Sequence, residues 1–152
     1  MPLARQLALT HKSLHAWTEA VLAEHGSSLT TWIVLTNAAV APAPGLSQRE
    51  LAEGMGIGGP ALVRHIDRLE AEGFVERTRD PNDRRVMRIT LTPGGHRHHD
   101  DLHQIMSVID TDLRSHLSDA EQRTMRTVLD TIARYAAETP TTAIATTEGS
   151  RP

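Results

Sequence analysis

Residues 47–92 read SQRELAEGMGIGGPALVRHIDRLEAEGFVERTRDPNDRRVMRITLT, and the fold turns on this stretch. It opens with Ser47 and, three residues on, Glu50. This is a capping box, in which the hydroxyl accepts from a free helix N–H and the carboxylate reaches back to the cap. A helix of about eight residues, SQRELAEG, follows with Leu51 and Ala52 inward. Gly54 to Gly59 (GMGIGG) reads as a turn. Pro60 suits the first position of another helix, whose Leu62, Ile66 and Leu69 recur at helical spacing until Gly73 stops it. The hydrophobic period then shortens: 74–79 (FVERTR) reads as a strand, 80–85 (DPNDRR) as a turn of good turn formers, and 86–92 as a returning strand. That second strand sets Val86, Arg88, Thr90 and Thr92 on one face and Met87, Ile89 and Leu91 on the other. Two short helices joined by a turn and followed by a β-hairpin predict a mainly α fold with a small β-hairpin wing, a winged helix-turn-helix lobe.

Working outward, Leu3, Leu7, Leu14, Trp17, Val21 and Leu22 lie at spacings that fit one helix over 3–24, which Gly26 ends. Ser28 caps a second helix carrying Leu29, Trp32, Ile33 and Leu35, closed by the prolines and glycine of 41–45. Downstream, Thr92 as cap and Pro93 at the first helical position open a long helix to about Leu117, with Leu102, Ile105, Met106, Ile109 and Leu113 in its stripe. Ser118 and Glu121 form a second capping box ahead of a last helix with Met125, Val128, Leu129, Ile132 and Tyr135. Residues 139–152 are rich in Thr and poor in core formers, which predicts a disordered tail. The expected organisation is one domain over 1–138, with the winged lobe at 46–92 and helical dimerisation arms at 1–40 and 93–138. Long apolar stripes on helices at both ends require something to cover them.

At 152 residues the chain can bury one core, and it lacks an apolar run long enough to span a bilayer. The first residues carry no secretory signal pattern, so the cytoplasm is the expected compartment and no membrane partner is expected. Zero cysteines exclude disulfides, thiol switches, cysteine nucleophiles and thiolate zinc sites. No nucleophile elbow, phosphate loop or paired-carboxylate cleft marks an enzyme, and no cofactor is expected. The net charge of -3 conceals an asymmetry: residues 1–46 are neutral, 47–97 carry +1 and 98–152 carry -4. Within the middle piece, Arg77 to Arg88 concentrates five arginines against Asp80 and Asp83, the sort of local positive charge that approaches a phosphate backbone.

This arrangement resembles the MarR family of winged-helix regulators. The wing stands as Asp83-Arg84-Arg85 followed by a strand ending Leu91-Thr92, preceded in order by 47–52 and 64–77. The resemblance is specific from 47 to 92 and extends in architecture over about 29–135. It implies a homodimer with terminal helices interleaved, acting on double-stranded DNA at an inverted-repeat operator. It further implies a repressor released by a small, aromatic or phenolic ligand.

On that reading the recognition helix starts near Gly59 and Pro60 and exposes Ala61, Arg64, His65 and Arg68, with Arg49 on the helix before it. Arg64 is the best base reader, since a guanidinium pairs bidentately with guanine O6 and N7. The rival reading has Arg64 or Arg68 paired with Asp67, Glu70 or Glu72 on a solvated face. Arg84 and Arg85 sit at a hairpin tip suited to the minor groove, with Asp83 orienting Arg85. Where the family often carries Ser or Thr, this chain has Gly58, Ala61 and Val63. That departure favours backbone N–H groups as the phosphate contacts, and it is the argument for an alternative reading as a winged-helix interaction module without DNA readout.

The sequence also has nine histidines. His11 and His15, with Trp17 and Trp32, are the candidate ligand-binding set, against plain core packing for the two tryptophans. His96, His99 and His103 recur along one helix face, the basis for a second alternative, a zinc-responsive regulator. A solvated helix start is the competing account of those three.

Overall fold

A computed structural model describes residues 1–55 and 60–139. The order is α1 (Leu3–Glu24), α2 (Leu29–Val40), β1 (Leu46–Ser47), α3 (Gln48–Met55), α4 (Pro60–Ala71), β2 (Val75–Arg79), β3 (Met87–Leu91), α5 (Pro93–Ser115) and α6 (Asp119–Glu138). No helix among the described residues is long and apolar enough to cross a membrane. The residues form two compact units, Met1–Ile109 and Asp110 onward.

The helix boundaries follow local chemistry. Ser28 Oγ accepts from the Thr31 N–H at 3.1 Å and starts α2. Ser47 Oγ accepts from the Glu50 N–H at 3.2 Å while the Glu50 carboxylate accepts from the Ser47 N–H at 2.7 Å, so the expected capping box stands at the head of α3. α3 runs through Gly54 to Met55, two residues that GMGIGG assigns to a turn. A single glycine costs a helix only about 1 kcal/mol, which tertiary packing overrides. Residues 56–59, including Gly58 and Gly59, lie outside the described residues. Gly73 ends α4 in the left-handed region at φ 76°.

The sheet is larger than a hairpin. Its order is β1-β3-β2, antiparallel throughout, with Leu46 opposite Ile89 and Ser47 opposite Arg88 on one side of β3. On the other side Val75 faces Leu91, and Arg77 faces Ile89. β1 escaped the sequence reading because two residues carry no periodicity; only their pairing makes them a strand. Val75, Ile89 and Leu91 turn inward onto Leu62, Ile66 and Leu69 of α4, Leu51 of α3, Leu35 of α2, Leu22 of α1 and Leu102 of α5. Each such side chain, fully buried, contributes about 1.5–3 kcal/mol.

The start of α5 is held against the turn between α4 and β2. Thr92 Oγ1 accepts from the Gly95 N–H at 3.0 Å and donates to the Gly73 carbonyl at 2.5 Å, and the Thr92 N–H reaches the Phe74 carbonyl at 3.1 Å. In the second unit, Ser118 and Glu121 close the expected capping box on α6, and the Gln122 amide donates to the carbonyls of Arg114 and Leu117. None of the twenty α6 residues is buried within the chain. The Thr139 N–H donates to the Tyr135 carbonyl as the helix C-cap; the rest of the expected disordered tail lies outside the described residues.

Two glycines separate packing from propensity. A Cβ on Gly95 would meet the Phe74 carbonyl oxygen at 1.9 Å, whereas one on Gly54 meets nothing nearer than 3.6 Å. Gly95→Ala is expected to destabilise by about 1–3 kcal/mol or more, and Gly54→Ala to be neutral or stabilising by up to about 1 kcal/mol. Denaturant melts of the two variants check this, and equal losses would contradict the close approach of α5 to the Phe74 carbonyl.

Candidate nucleic-acid interface

The helix-turn-helix and the wing carry the cations, and their side chains divide into paired and unpaired sets. Arg77 is neutralised from α4: its guanidinium donates to Asp67 at 2.6 Å and to Glu70 at 2.5 Å. Arg88 donates through Nε to Asp80 at 2.5 Å and through Nη1 to Glu50 at 2.7 Å. Arg49 faces Glu53 at 2.9 Å one helical turn away, both exposed. Arg64, Arg79, Arg84 and Arg85 have no side-chain ion pair among the described residues. The five-arginine cluster at 77–88 therefore offers three guanidiniums, since Arg77 and Arg88 are turned inward and neutralised. Sequence reading counts charge but not the carboxylates that folding sets beside it.

On α4, Ala61 and Arg64 are exposed, as expected. His65 is only half-exposed: its Nε2 lies 3.2 Å from Thr31 Oγ1 in α2. Arg68 leans the same way, with Nη2 3.3 Å from His65 Nδ1 and 3.5 Å from Thr31 Oγ1, and Nε 3.9 Å from Glu72. Burial first, then the Arg68 charge, lowers the His65 pKa below its ordinary value, which favours the neutral ring. His65 is thus less exposed than expected, being in contact with a buried threonine on another helix, while Arg68 is exposed as expected and reaches the same threonine only at 3.5 Å. Thr31 is one of three threonines in α2, and nothing in the sequence marked it out.

At the wing tip, Asp83 Oδ1 accepts from the backbone N–H of Arg85 at 3.0 Å. The bond is to the Arg85 backbone and not its guanidinium, and the side chains of Arg84 and Arg85 are both exposed. Behind the tip, Asp80 is buried and accepts from the N–H groups of Asn82 at 2.7 Å and Asp83 at 2.9 Å. Those two bonds, then Arg88, hold the Asp80 carboxyl below its usual range. Bonds from Ser47 do the same for Glu50, with a smaller contribution from Arg88.

The expected ligand set is distributed along two helices. The His11 and His15 rings lie 5.9 Å apart on exposed α1, Trp17 is exposed, and Trp32 is half-buried with an indole N–H that has no partner among the described residues. None of the four lines the cleft of about 110 Å³ that opens between Gly26, Ser27, Ser28, Thr31, Arg68, Glu72 and His98. His99 and His103 stack with centroids 6.0 Å apart, and His99 Nδ1 faces Asp100 at 3.4 Å. No three His, Asp or Glu side chains among the described residues converge as metal ligands, so His96, His99 and His103 do not form the geometry a zinc reading needs.

The sequence pattern of the MarR family matches residues 25–86. The crystal structure of a mutant MarR from E. coli complexed with operator DNA superposes with a TM-score of 0.76 at 26% identity, over 87% of this chain and 94% of that one. CouR from Rhodococcus jostii RHA1, solved bound to p-coumaroyl-CoA, superposes at 0.70 with 30% identity over 84% and 89% of the two chains. This chain belongs to the MarR family. It is a family of transcriptional regulators. A Thauera aromatica protein described as a transcriptional regulator for the hcr operon is 35% identical over 101 residues, 66% of this chain and 61% of that protein. The match thus spans under two thirds of that relative's length. In this MarR-family chain, the winged lobe accounts for most of the stretch that the family pattern matches.

The depressed carboxylates have a pH consequence. A carboxyl whose pKa is lower folded than unfolded stabilises the fold fully above its unfolded value, and that stabilisation is lost as pH falls through the folded value. For Asp80 and Glu50 the loss begins near the ordinary carboxylate range of about 4 and continues below it. Thermal melts from neutral pH downward are expected to show an acid-side decline that is shallower in Asp80→Asn. An unchanged acid slope in that variant would contradict the arrangement.

Proposed function

We propose that two copies of this chain bind an inverted-repeat operator on double-stranded DNA and act as a repressor released by a small ligand. The observation that carries this reading is the sorting of arginines: Arg49, Arg77 and Arg88 are neutralised, while Arg64 on the open face of α4 and Arg84 and Arg85 at the wing tip are left for an external anion. Arg64 reads base edges in the major groove, with Ala61 beside it leaving room for close approach. Arg84 and Arg85 enter the adjacent minor groove, where narrow A·T tracts concentrate negative potential. Arg49 and the first turn of α4 serve the phosphates, Arg49 by exchanging Glu53 for a backbone oxygen.

Dimerisation is supported by apolar side chains left uncovered on the arms: Leu3, Leu14 and Trp17 of α1, Val108 and Leu113 of α5, and Met125, Val128, Leu129 and Tyr135 of α6. A two-fold pair presents recognition helices about 34 Å apart, one helical turn of DNA. The MarR mutant solved with operator DNA supports the partner, and CouR solved with p-coumaroyl-CoA supports a ligand-responsive regulator. In this reading, 46–92 is the DNA-binding lobe, 1–40 and 93–138 are the dimer arms, and His11, His15, Trp17 and Trp32 are the candidate ligand contacts. A ligand releases DNA only by preferring the state whose recognition helices are wrongly spaced.

Binding of the purified chain to duplex fragments from around its own gene, with competitor DNA across a salt series, tests the reading. Specific binding at physiological salt is expected. Arg64→Ala should cost about 1–3 kcal/mol and relax preference at one base pair, whereas Arg84→Ala or Arg85→Ala should weaken all sequences alike and reduce the salt slope by roughly one. Equal, weak binding to every fragment, lost at moderate salt, would refute sequence readout and favour the interaction-module reading.

A further inference from the structure

We propose that Arg88 is a positioning residue for DNA binding: it ties the wing to the first helix of the helix-turn-helix, so that Arg84 and Arg85 reach the duplex in fixed register with α4. The inference rests on the DNA-binding reading above and deepens it.

Arg88 occupies the middle strand between Ser47 on β1 and Thr78 on β2. Its guanidinium joins three segments that are distant in sequence. Nε donates to Asp80 Oδ2 at 2.5 Å, and Nη1 donates to Glu50 Oε2 at 2.7 Å and to the Gly45 carbonyl at 3.4 Å. On the wing side the chain of bonds continues outward. Asp80 accepts from the N–H groups of Asn82 and Asp83, its own N–H donates to the Val86 carbonyl at 2.9 Å, and Asp83 holds the Arg85 N–H. On the other side Glu50 is the capping carboxylate that starts α3. One side chain therefore links the turn carrying the tip arginines to the helix preceding the recognition helix.

The chemistry of the link requires arginine. A planar guanidinium presents donors in a rigid fork that bonds two carboxylates at once, whereas an ammonium is a point charge on a flexible stem. The Arg88 side chain is only 20% exposed and Asp80 is 5% exposed, so the pair is shielded from the screening that weakens surface ion pairs. With its charge already matched by two carboxylates, Arg88 is not placed to be a phosphate contact. Its effect on DNA runs through Arg84 and Arg85. A two-stranded hairpin alone is marginally stable in water, and a tip free to swing loses more entropy when it is ordered on DNA.

The test is a double-mutant cycle on the full-length dimer and the fragment that wild type binds, read as Kd over a salt series, with Arg88→Gln, Arg88→Lys and the pair Arg84→Ala/Arg85→Ala. Arg88→Gln is expected to weaken binding about tenfold or more and to lower the salt slope by roughly two, as both tip contacts loosen. The tip pair, costing wild type about tenfold or more, should cost Arg88→Gln less than about threefold further, and Arg88→Lys should not restore affinity. Full additivity, or an unchanged Kd in Arg88→Gln, overturns the proposal. If Arg88→Gln is poorly folded by circular dichroism, Glu50→Gln carries the same cycle, because glutamine preserves the capping acceptor and removes the charge. Amide hydrogen exchange without DNA distinguishes the two readings. If wild type binds no fragment, DNA binding fails, but exchange at Asn82, Asp83 and Arg85 should still quicken in Arg88→Gln while α4 amides hold. Unchanged wing exchange overturns the tie on its own.

Discussion

The two-residue pairing of Leu46 and Ser47 with Ile89 and Arg88 is the joint on which the winged lobe depends. It converts a hairpin, which would be marginal alone, into a three-stranded sheet. It also brings the entrance to α3 beside the wing, so that the helix-turn-helix and the hairpin share one core through Leu51, Ile66, Leu69 and Ile89. The approach is close enough to require glycine next to it. Gly45 has φ 99°, and a Cβ there would lie 2.6 Å from the Ile89 carbonyl oxygen. A left-handed residue without a side chain is the physical condition for the strand to enter at all.

Electrostatics divides the same lobe by depth. The two half-buried arginines of the sheet each have two carboxylates set against them by folding, Asp67 and Glu70 for Arg77, Asp80 and Glu50 for Arg88, whereas Arg79 at the exposed end of β2 has none among the described residues. Desolvating a cation without such partners is costly, so the inner positions must be neutralised. Cations at the tip and on the open face of α4 remain solvated and carry no such penalty. The net charge of -3 is therefore compatible with DNA binding, because Asp67, Glu70, Asp80 and Glu50 neutralise inner arginines and residues 98–152 hold much of the negative excess. The local field at the tip, and not the total charge, governs approach to a phosphate backbone.

The apolar side chains sort by a related logic. Those of the winged lobe find each other inside one chain, since α4 and the sheet offer complementary faces. α6 has an apolar stripe of the same helical period, of which Met125, Val128, Leu129 and Tyr135 stay exposed. Covering such a stripe is worth tens of calories per mole for each Å² removed from water, which gives a second copy of the chain a physical reason to associate. His65 and Arg68 of α4 meet Thr31 of α2 in a polar contact, so these two helices are joined by bonds as well as by packing.

Helix starts, the helix ends other than that of α3, the wing and the family were legible from residues within four or five positions of one another. Ser28, Ser47 with Glu50, Pro60, Gly73, Thr92 and Ser118 with Glu121 act through local hydrogen bonds and dihedral limits, and those forces are the same in a short peptide as in the fold. The alternation of Arg88, Ile89, Thr90 and Leu91 was equally local. The strand at Leu46–Ser47, the withdrawal of Arg77 and Arg88 from the charged surface, the capture of His65 by Thr31 and the spread of the candidate ligand residues were not legible. Each depends on pairs separated by many positions along the chain, and composition records how many charges a segment holds but not which opposite charge the packed chain places beside them. Tertiary structure decides those pairings because strand register and helix packing choose among many chemically similar partners, and only one arrangement also buries the shared core.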